Sequence, residues 1–322
     1  MTNFKIQTPF FSFALLVCWI WVQPISAHLP EKNPKVVVSI TPFYGLVATI
    51  MQGVGTPTLL VKPGASVHHH ALKSSDMKML ENAALVVWGG RDLETYLVKP
   101  LKTLKTHPSP FVLELAQIPD LSLLTAKSGD CGHAHHHHPN LSQEMIDMHF
   151  WLDPLNAIAI SQALVETLSQ LDPLHAALYE KNGLQLKKDL IALDQKIREK
   201  LKTVNHVPFI VFHDAYQYFS HRYNLKIVGI ISKDPELSTS AKRLKNILNI
   251  IQTTKARCIF TEPNTRSTLV KNLVQDSSIN IGVLDPEGDH TMQSNKGYFV
   301  LLNNLADSLK ECLERPILQH SY

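Results

Sequence analysis

The sequence predicts an α/β protein of two lobes, each a mostly parallel sheet flanked by helices, joined by one long linker helix. Three observations carry this. Short apolar runs alternate with amphipathic stretches in both halves of the chain, the pattern of parallel α/β layers. One periodic segment near the middle is far longer than its neighbours. The 322 residues, 44% of them hydrophobic, suffice for two domains of ordinary size.

In the first half, Lys35 to Ile40 (KVVVSI) reads as a buried strand, and Pro42 to Gln52 as a helix with proline at its first position. Thr58 to Val61 is the next strand, ended by the Pro63-Gly64 turn. Ser74-Ser75-Asp76 supplies caps for a helix, and Leu85 to Trp88 and Phe111 to Leu115 are further strands. Asp153-Pro154, a cap followed by proline, starts a helix running to about Leu171, and Asp172-Pro173 repeats the signal.

Leu186, Leu190, Leu193, Ile197, Leu201 and Val204 then recur at steps of three or four, one apolar face of a helix. From Ala177 to Val204 it would be about 42 Å long, enough to span two lobes. Beyond it Val207 to Phe212, Lys226 to Ile230, Cys258 to Thr261 and Asn280 to Leu284 read as strands with helices between them. The expected boundaries are therefore an N-terminal lobe over 34–171, a linker helix over 172–205 and a C-terminal lobe over 206–322.

Residues 1–27 read as a secretory signal peptide. Lys5 is the positive start, Pro9 to Val22 the apolar stretch, and Ala27 the small residue at the cleavage site. The alternative is a membrane anchor, but the 14 residues Pro9 to Val22 fall short of the roughly 20 that span a bilayer. Val17 before Cys18 is not the small residue of a lipidation site. The expected location is the periplasm. The polar segment that follows, His28 to Asn33, is expected to lack order. The net charge of +3, with no dense Lys/Arg cluster, argues against a nucleic-acid surface. Cys258 lies in a strand and Cys312 in the C-terminal helix, where each could meet the other in an oxidising compartment; two buried thiols are the alternative.

The 17 histidines are the unusual number, because histidine is the commonest metal ligand among side chains. Four residues stand where open parallel sheets bind ligands, at or beyond the carboxyl ends of strands, or just before a helix cap. His213 follows Val207 to Phe212, Asp285 follows Asn280 to Leu284, His68 lies in the loop after Thr58 to Val61, and His149 precedes Asp153-Pro154. Singly each is an ordinary surface, core or turn residue. Together, three imidazoles and a carboxylate or water make a tetrahedral set suited to Zn²⁺. His69 and His70 are alternatives to His68 that spacing alone does not exclude. A second cluster, His133, His135, His136, His137 and His138 within a loop over 130–139, cannot pack as a core element. It is read as a weak, multi-site zinc collector, or else as a solvated loop with incidental affinity.

The segments GASVHHHALKSSD (Gly64 to Asp76), DMHFWLDP (Asp147 to Pro154), VFHDAYQYF (Val211 to Phe219), FTEPN (Phe260 to Asn264) and VLDPEG (Val283 to Gly288) resemble the zinc-specific substrate-binding proteins of ABC transporters, the ZnuA type. They stand in family order and cover essentially the whole mature chain, the histidine-rich loop included. The resemblance implies two α/β lobes joined by one rigid helix, with Zn²⁺ as the transported ligand at His68, His149 and His213. Asp285 matches a residue that is a ligand in manganese-binding relatives, which usually carry glutamate where this chain has His213. The resemblance also implies a Cys258–Cys312 disulfide and a membrane permease as partner. Val67 departs from the pattern, since some zinc-group members have glutamate there; this leaves Asp285 or water as the fourth ligand.

The function expected is binding without catalysis, by a monomer that is not membrane-embedded after cleavage. Manganese or iron capture within the same fold is the nearest alternative. A zinc hydrolase would share the histidine set, but no H-E-x-x-H is present and no candidate ligand has an adjacent glutamate placed as general base. An adhesin would be expected to carry an acyl anchor.

Overall fold

The computed structural model describes Met1 and residues 33–104, 110–126, 146–232, 239–263, 267–275, 277–288 and 293–316. The expected signal peptide beyond Met1 and the histidine-rich loop 130–139 lie outside the described residues, as does all of the polar segment before Asn33.

Two four-stranded sheets, both wholly parallel, form the framework. In the first, β1 (Val36–Val38), β2 (Thr58–Leu59), β3 (Leu85–Trp88) and β4 (Phe111–Glu114) stand in the order β2-β1-β3-β4. In the second, β5 (Phe209–Val211), β6 (Ile227–Ile230), β7 (Cys258–Thr261) and β8 (Asn280–Val283) repeat the arrangement as β6-β5-β7-β8. The strands are short and β-branched at their centres, and the central ones are buried on both faces, as parallel sheets require.

Strand alternation sorts the side chains into two layers. Val36 and Val38 face an inner core with Phe209, Val211, Cys258 and Phe260, whereas Val37 and Val86 join an outer cluster. Helices α2 (Ser74–Glu81) and α3 (Thr95–Leu104) cover the outer face of the first sheet with Leu80, Leu97, Leu101 and Leu104. Helices α7 (Ala241–Thr254) and α8 (Ser267–Leu273) do the same for the second with Ile247, Ile251 and Val270. The inner core is filled by α1 (Thr41–Ile50), α4 (Pro154–Leu171), α5 (Ala176–Leu201), α6 (Gln217–Tyr223) and α9 (Gly297–Glu314).

Local chemistry sets several of these boundaries. Pro42 opens α1, and the Asp153 carboxylate accepts the Leu155 N–H at 2.8 Å to cap α4, with Pro154 at the first helical position. Asp76 accepts the Lys73 N–H at 2.8 Å and closes the first turn of α2. The sequence reading does not anticipate α3, which carries Pro100 in its interior; its buried Leu97, Leu101 and Leu104 hold it on the sheet.

The long helix α5 spans 26 residues, about 39 Å, after a 3-10 turn at Pro173–His175. It begins one residue before the expected Ala177 and stops three short of Val204. There the Val204 N–H turns back to the Leu201 carbonyl at 3.0 Å and the Val204 side chain is buried. The apolar face Leu186, Leu190, Leu193, Ile197 and Leu201 packs along α4, α1 and α9, so elements from both sides of α5 in the sequence share it. A Cβ on Gly183 would lie 2.4 Å from Cγ2 of Val165, so glycine lets α5 approach α4 closely. Cys258 in β7 and Cys312 in α9 form a disulfide with a Cα–Cα distance of 6.2 Å, as the sequence suggested. Among the described residues no helix is long and apolar enough to cross a membrane.

Candidate metal centre

The loops beyond β2 and β5 and the segment before α4 supply the site. His68 lies in the loop beyond β2, where Ser66 Oγ accepts the N–H groups of His68 and His69 at 3.2 and 3.0 Å and fixes that turn. His149 lies immediately before the 3-10 turn Phe150–Leu152 that leads into α4, and His213 lies two residues beyond β5. These three histidines are buried, and each offers a ring nitrogen such that all lie within 4.8 Å of one another. The ring centroids are 5.3 Å (His149–His213), 5.7 Å (His68–His149) and 6.4 Å (His68–His213) apart.

The nitrogens are oriented by carboxylates. Nδ1 of His149 is 2.8 Å from Oδ1 of Asp147, which also accepts the His149 backbone N–H at 3.0 Å. Nδ1 of His213 is 2.5 Å from Oε1 of Glu262, the residue that follows β7. With a proton on each Nδ1, the Nε2 lone pairs are left to face each other, and the two Nε2 atoms are 3.5 Å apart. Two nitrogens bound tetrahedrally to Zn²⁺ at about 2.05 Å would be separated by about 3.3 Å. The pair is therefore spaced for one ion of that size.

Burial works against a charged His213, but the Glu262 carboxylate outweighs it and holds the imidazole above its ordinary pKa. Tyr216 donates to the same Oε1 at 3.0 Å, and burial followed by Glu262 pushes its phenol well above the usual range. Trp151, its ring 5.1 Å from that of His149, donates from Nε1 to the Pro286 carbonyl at 2.8 Å and so ties the segment before α4 to the turn after β8.

Of the four ligands expected from sequence, the structure brings the three histidines together. Asp285 stands outside that set: its Oδ1 accepts the N–H groups of Glu287 and Gly288 at 3.0 and 2.9 Å, shaping its own turn. His69 is exposed, and His70 packs its ring 5.4 Å from Tyr96, so neither takes the place of His68. Val67 packs into the inner core. The expected secondary zinc ligands His133, His135, His136, His137 and His138 all lie outside the described residues, so the three-histidine set is assembled from other segments of the chain. Asp147, Glu262 and Tyr216 have no role in the sequence reading. The available signals were Asp147 two residues before His149, and Glu262 at a strand's carboxyl end.

The family model for the zinc-uptake complex component A, periplasmic (ZnuA), matches residues 36–312. The chain belongs to the ZnuA family. The high-affinity zinc uptake system protein ZnuA of Brucella suis biovar 1 is 37% identical over 317 residues, covering 90% of this chain and 94% of that protein. The ZnuA of Yersinia pestis is 30% identical over 315 residues, covering 92% and 98%. Among solved structures, the Zn(II)-bound form of a mutant variant of Streptococcus pneumoniae AdcAII superposes with a TM-score of 0.73 at 25% identity, covering 88% of this chain and 100% of that one. A crystal structure of ZnuA superposes with a TM-score of 0.74 at 21% identity, covering 88% and 100%, and shares the fold.

Proposed function

We propose that this protein captures Zn²⁺ in the periplasm at His68, His149 and His213 and delivers it to the membrane permease of a zinc ABC transporter. The observation that carries the reading is the convergence of three buried imidazole nitrogens within 4.8 Å, drawn from the loop beyond β2, the segment before α4 and the loop after β5. Membership of a zinc-uptake family supports it. Three neutral imidazoles suit Zn²⁺, whereas Mn²⁺ favours more oxygen. Water or Asp285 completes the tetrahedron.

The site binds and does no chemistry of its own. Oδ1 of Asp147 and Oε1 of Glu262 are engaged with ring nitrogens and serve to orient the ligands. The chain acts as a monomer, exported by residues 1–27 and released from its signal. His133, His135, His136, His137 and His138 collect zinc weakly for the main site. Residues 34–171 and 206–322 act as the two lobes, with 172–205 as the link between them.

Complementation tests the reading. In a bacterium lacking its own zinc-binding component, the wild-type chain is expected to restore growth under a zinc chelator. The His68→Ala/His149→Ala/His213→Ala variant, exported at equal level, is expected to fail. Equal rescue by both would overturn the assignment, and rescue by added Mn²⁺ rather than Zn²⁺ would favour the manganese alternative.

A further inference from the structure

Two tyrosines two residues apart brace the two acidic residues that hold the ligand histidines, Tyr216 at the Glu262 carboxylate and Tyr218 at the Asp147 main chain. Tyr216 donates to Oε1 of Glu262, the partner of His213, at 3.0 Å, and both belong to the second sheet's side of the site. Tyr218, in α6, reaches the other way. Its hydroxyl donates to the main-chain carbonyl of Asp147 at 2.7 Å and accepts the Leu124 N–H at 2.9 Å. Asp147 in turn holds Nδ1 of His149 and donates its own N–H to the Leu124 carbonyl at 2.9 Å. The Asp147 main chain is thus fixed at both its polar groups, one of them by a residue that follows β5.

We infer that Tyr218 is a positioning residue for His149: through Asp147, a side chain from the His213 segment sets the ring that the first half of the chain contributes to the metal. The inference rests on the zinc reading of the histidine cluster. Its physical basis is the absence of slack. Tyr218 is 2% exposed, so an Asp147 carbonyl and a Leu124 N–H that lose its hydroxyl gain no ready replacement. Displacing the Asp147 main chain moves the acceptor that fixes the tautomer and tilt of His149, and partners of this kind are worth about 10–100-fold in metal affinity. Gln217 supplies the contrast. It donates to the Thr125 carbonyl at 2.9 Å, beside the isolated bridge between Thr125 and Ile146, and is bonded to neither Asp147 nor His149.

The test uses the full mature chain, with Zn²⁺ affinity read by chelator competition and Co²⁺ absorption as a report of ligand geometry. Tyr218→Phe keeps the ring's volume and is expected to weaken Zn²⁺ about tenfold and to shift the Co²⁺ bands as Asp147→Asn does. Gln217→Ala should leave both unchanged. In an Asp147→Asn background, Tyr218→Phe should cost less than threefold, because the path through Asp147 is already broken. Zn²⁺ affinity within twofold of wild type, or an equal loss in both backgrounds with unchanged Co²⁺ bands, would overturn the positioning role. Failure of the zinc reading itself has a separate signature, namely tight Zn²⁺ binding that survives His213→Ala.

Discussion

Nδ1 of His213 lies 2.5 Å from Oε1 of Glu262, so the ring whose Nε2 faces that of His149 is anchored at its other nitrogen by a buried carboxylate. Glu262→Gln keeps the shape and removes the charge. It should weaken Zn²⁺ binding by about 10–100-fold, measured by chelator competition at pH 7.5, with little change in fold.

The same pair sets a pH dependence. His213 is held above its ordinary pKa of 6.5, with burial opposing and Glu262 prevailing. In metal-free protein the stabilisation from this group is present in full below the unfolded value and disappears as pH rises through the higher folded value. Zinc binding has the opposite slope, because the ion must displace that proton. Calorimetric titrations across pH should show affinity rising through this window, and Glu262→Gln should move the rise to lower pH.

Glu94 is wholly buried beside Gly89, Gly90 and Ser39, and burial above all pushes its carboxyl up to about 7. Its folded value exceeds the unfolded one, so its contribution is greatest below about pH 4.5 and is lost as pH rises through about 7. Glu94→Gln removes that loss. Relative to wild type, its stability should rise between pH 4.5 and pH 8 by at most about 3 kcal/mol, read from thermal unfolding of the metal-free protein.

Arg222 joins α6 to α5 through Asp194, with Nη2 2.6 Å from Oδ2, and lies 3.8 Å from Asp153, the cap of α4. Burial opposes ionisation of Asp194, but Arg222 overcomes it and holds the carboxyl below its usual value. That contribution exists above the unfolded pKa and is lost as pH falls through the folded one. Arg222→Ala takes the nearest cation from Asp153 and leaves Asp194 with Arg198 alone, 3.4 Å away. It should cost about 2 kcal/mol in denaturant unfolding at pH 7, and less as the pH is lowered.

The Cys258–Cys312 disulfide closes a separation of 54 residues, worth at most about 4 kcal/mol through the unfolded chain's entropy. Cys258 begins β7, whereas Glu262 follows its far end. Reduction should therefore lower the unfolding midpoint while leaving the stoichiometry of tight zinc binding unchanged.

The architecture was legible because both sheets are built of short apolar runs bounded by turn residues. Val36–Val38, Leu85–Trp88 and Cys258–Thr261 declare themselves by composition, and Asp153-Pro154 marks the start of α4 to the residue. Helix α3 did not declare itself, since Pro100 argues against a helix interior that tertiary packing of Leu97 and Leu101 overrides. For the site, strand ends gave His213 and the family motifs gave the choice of His68 over His69 and His70. Glu262 and the tyrosines were hidden because their roles depend on contacts 46 to 71 residues apart, which no local pattern encodes. Asp285 was legible from its place after β8, and its Oδ1 accepts the N–H groups of its own turn, as an aspartate before proline commonly does.

The most direct test of the central claim is a titration of metal-free mature protein, lacking residues 130–138, with Zn²⁺ and Mn²⁺ against a chelating indicator. One tight Zn²⁺ site of about nanomolar Kd, with much weaker Mn²⁺ binding, is the result predicted for the three-histidine centre. Loss of tight Zn²⁺ binding on removal of that segment would contradict it and place the metal in the histidine-rich loop instead.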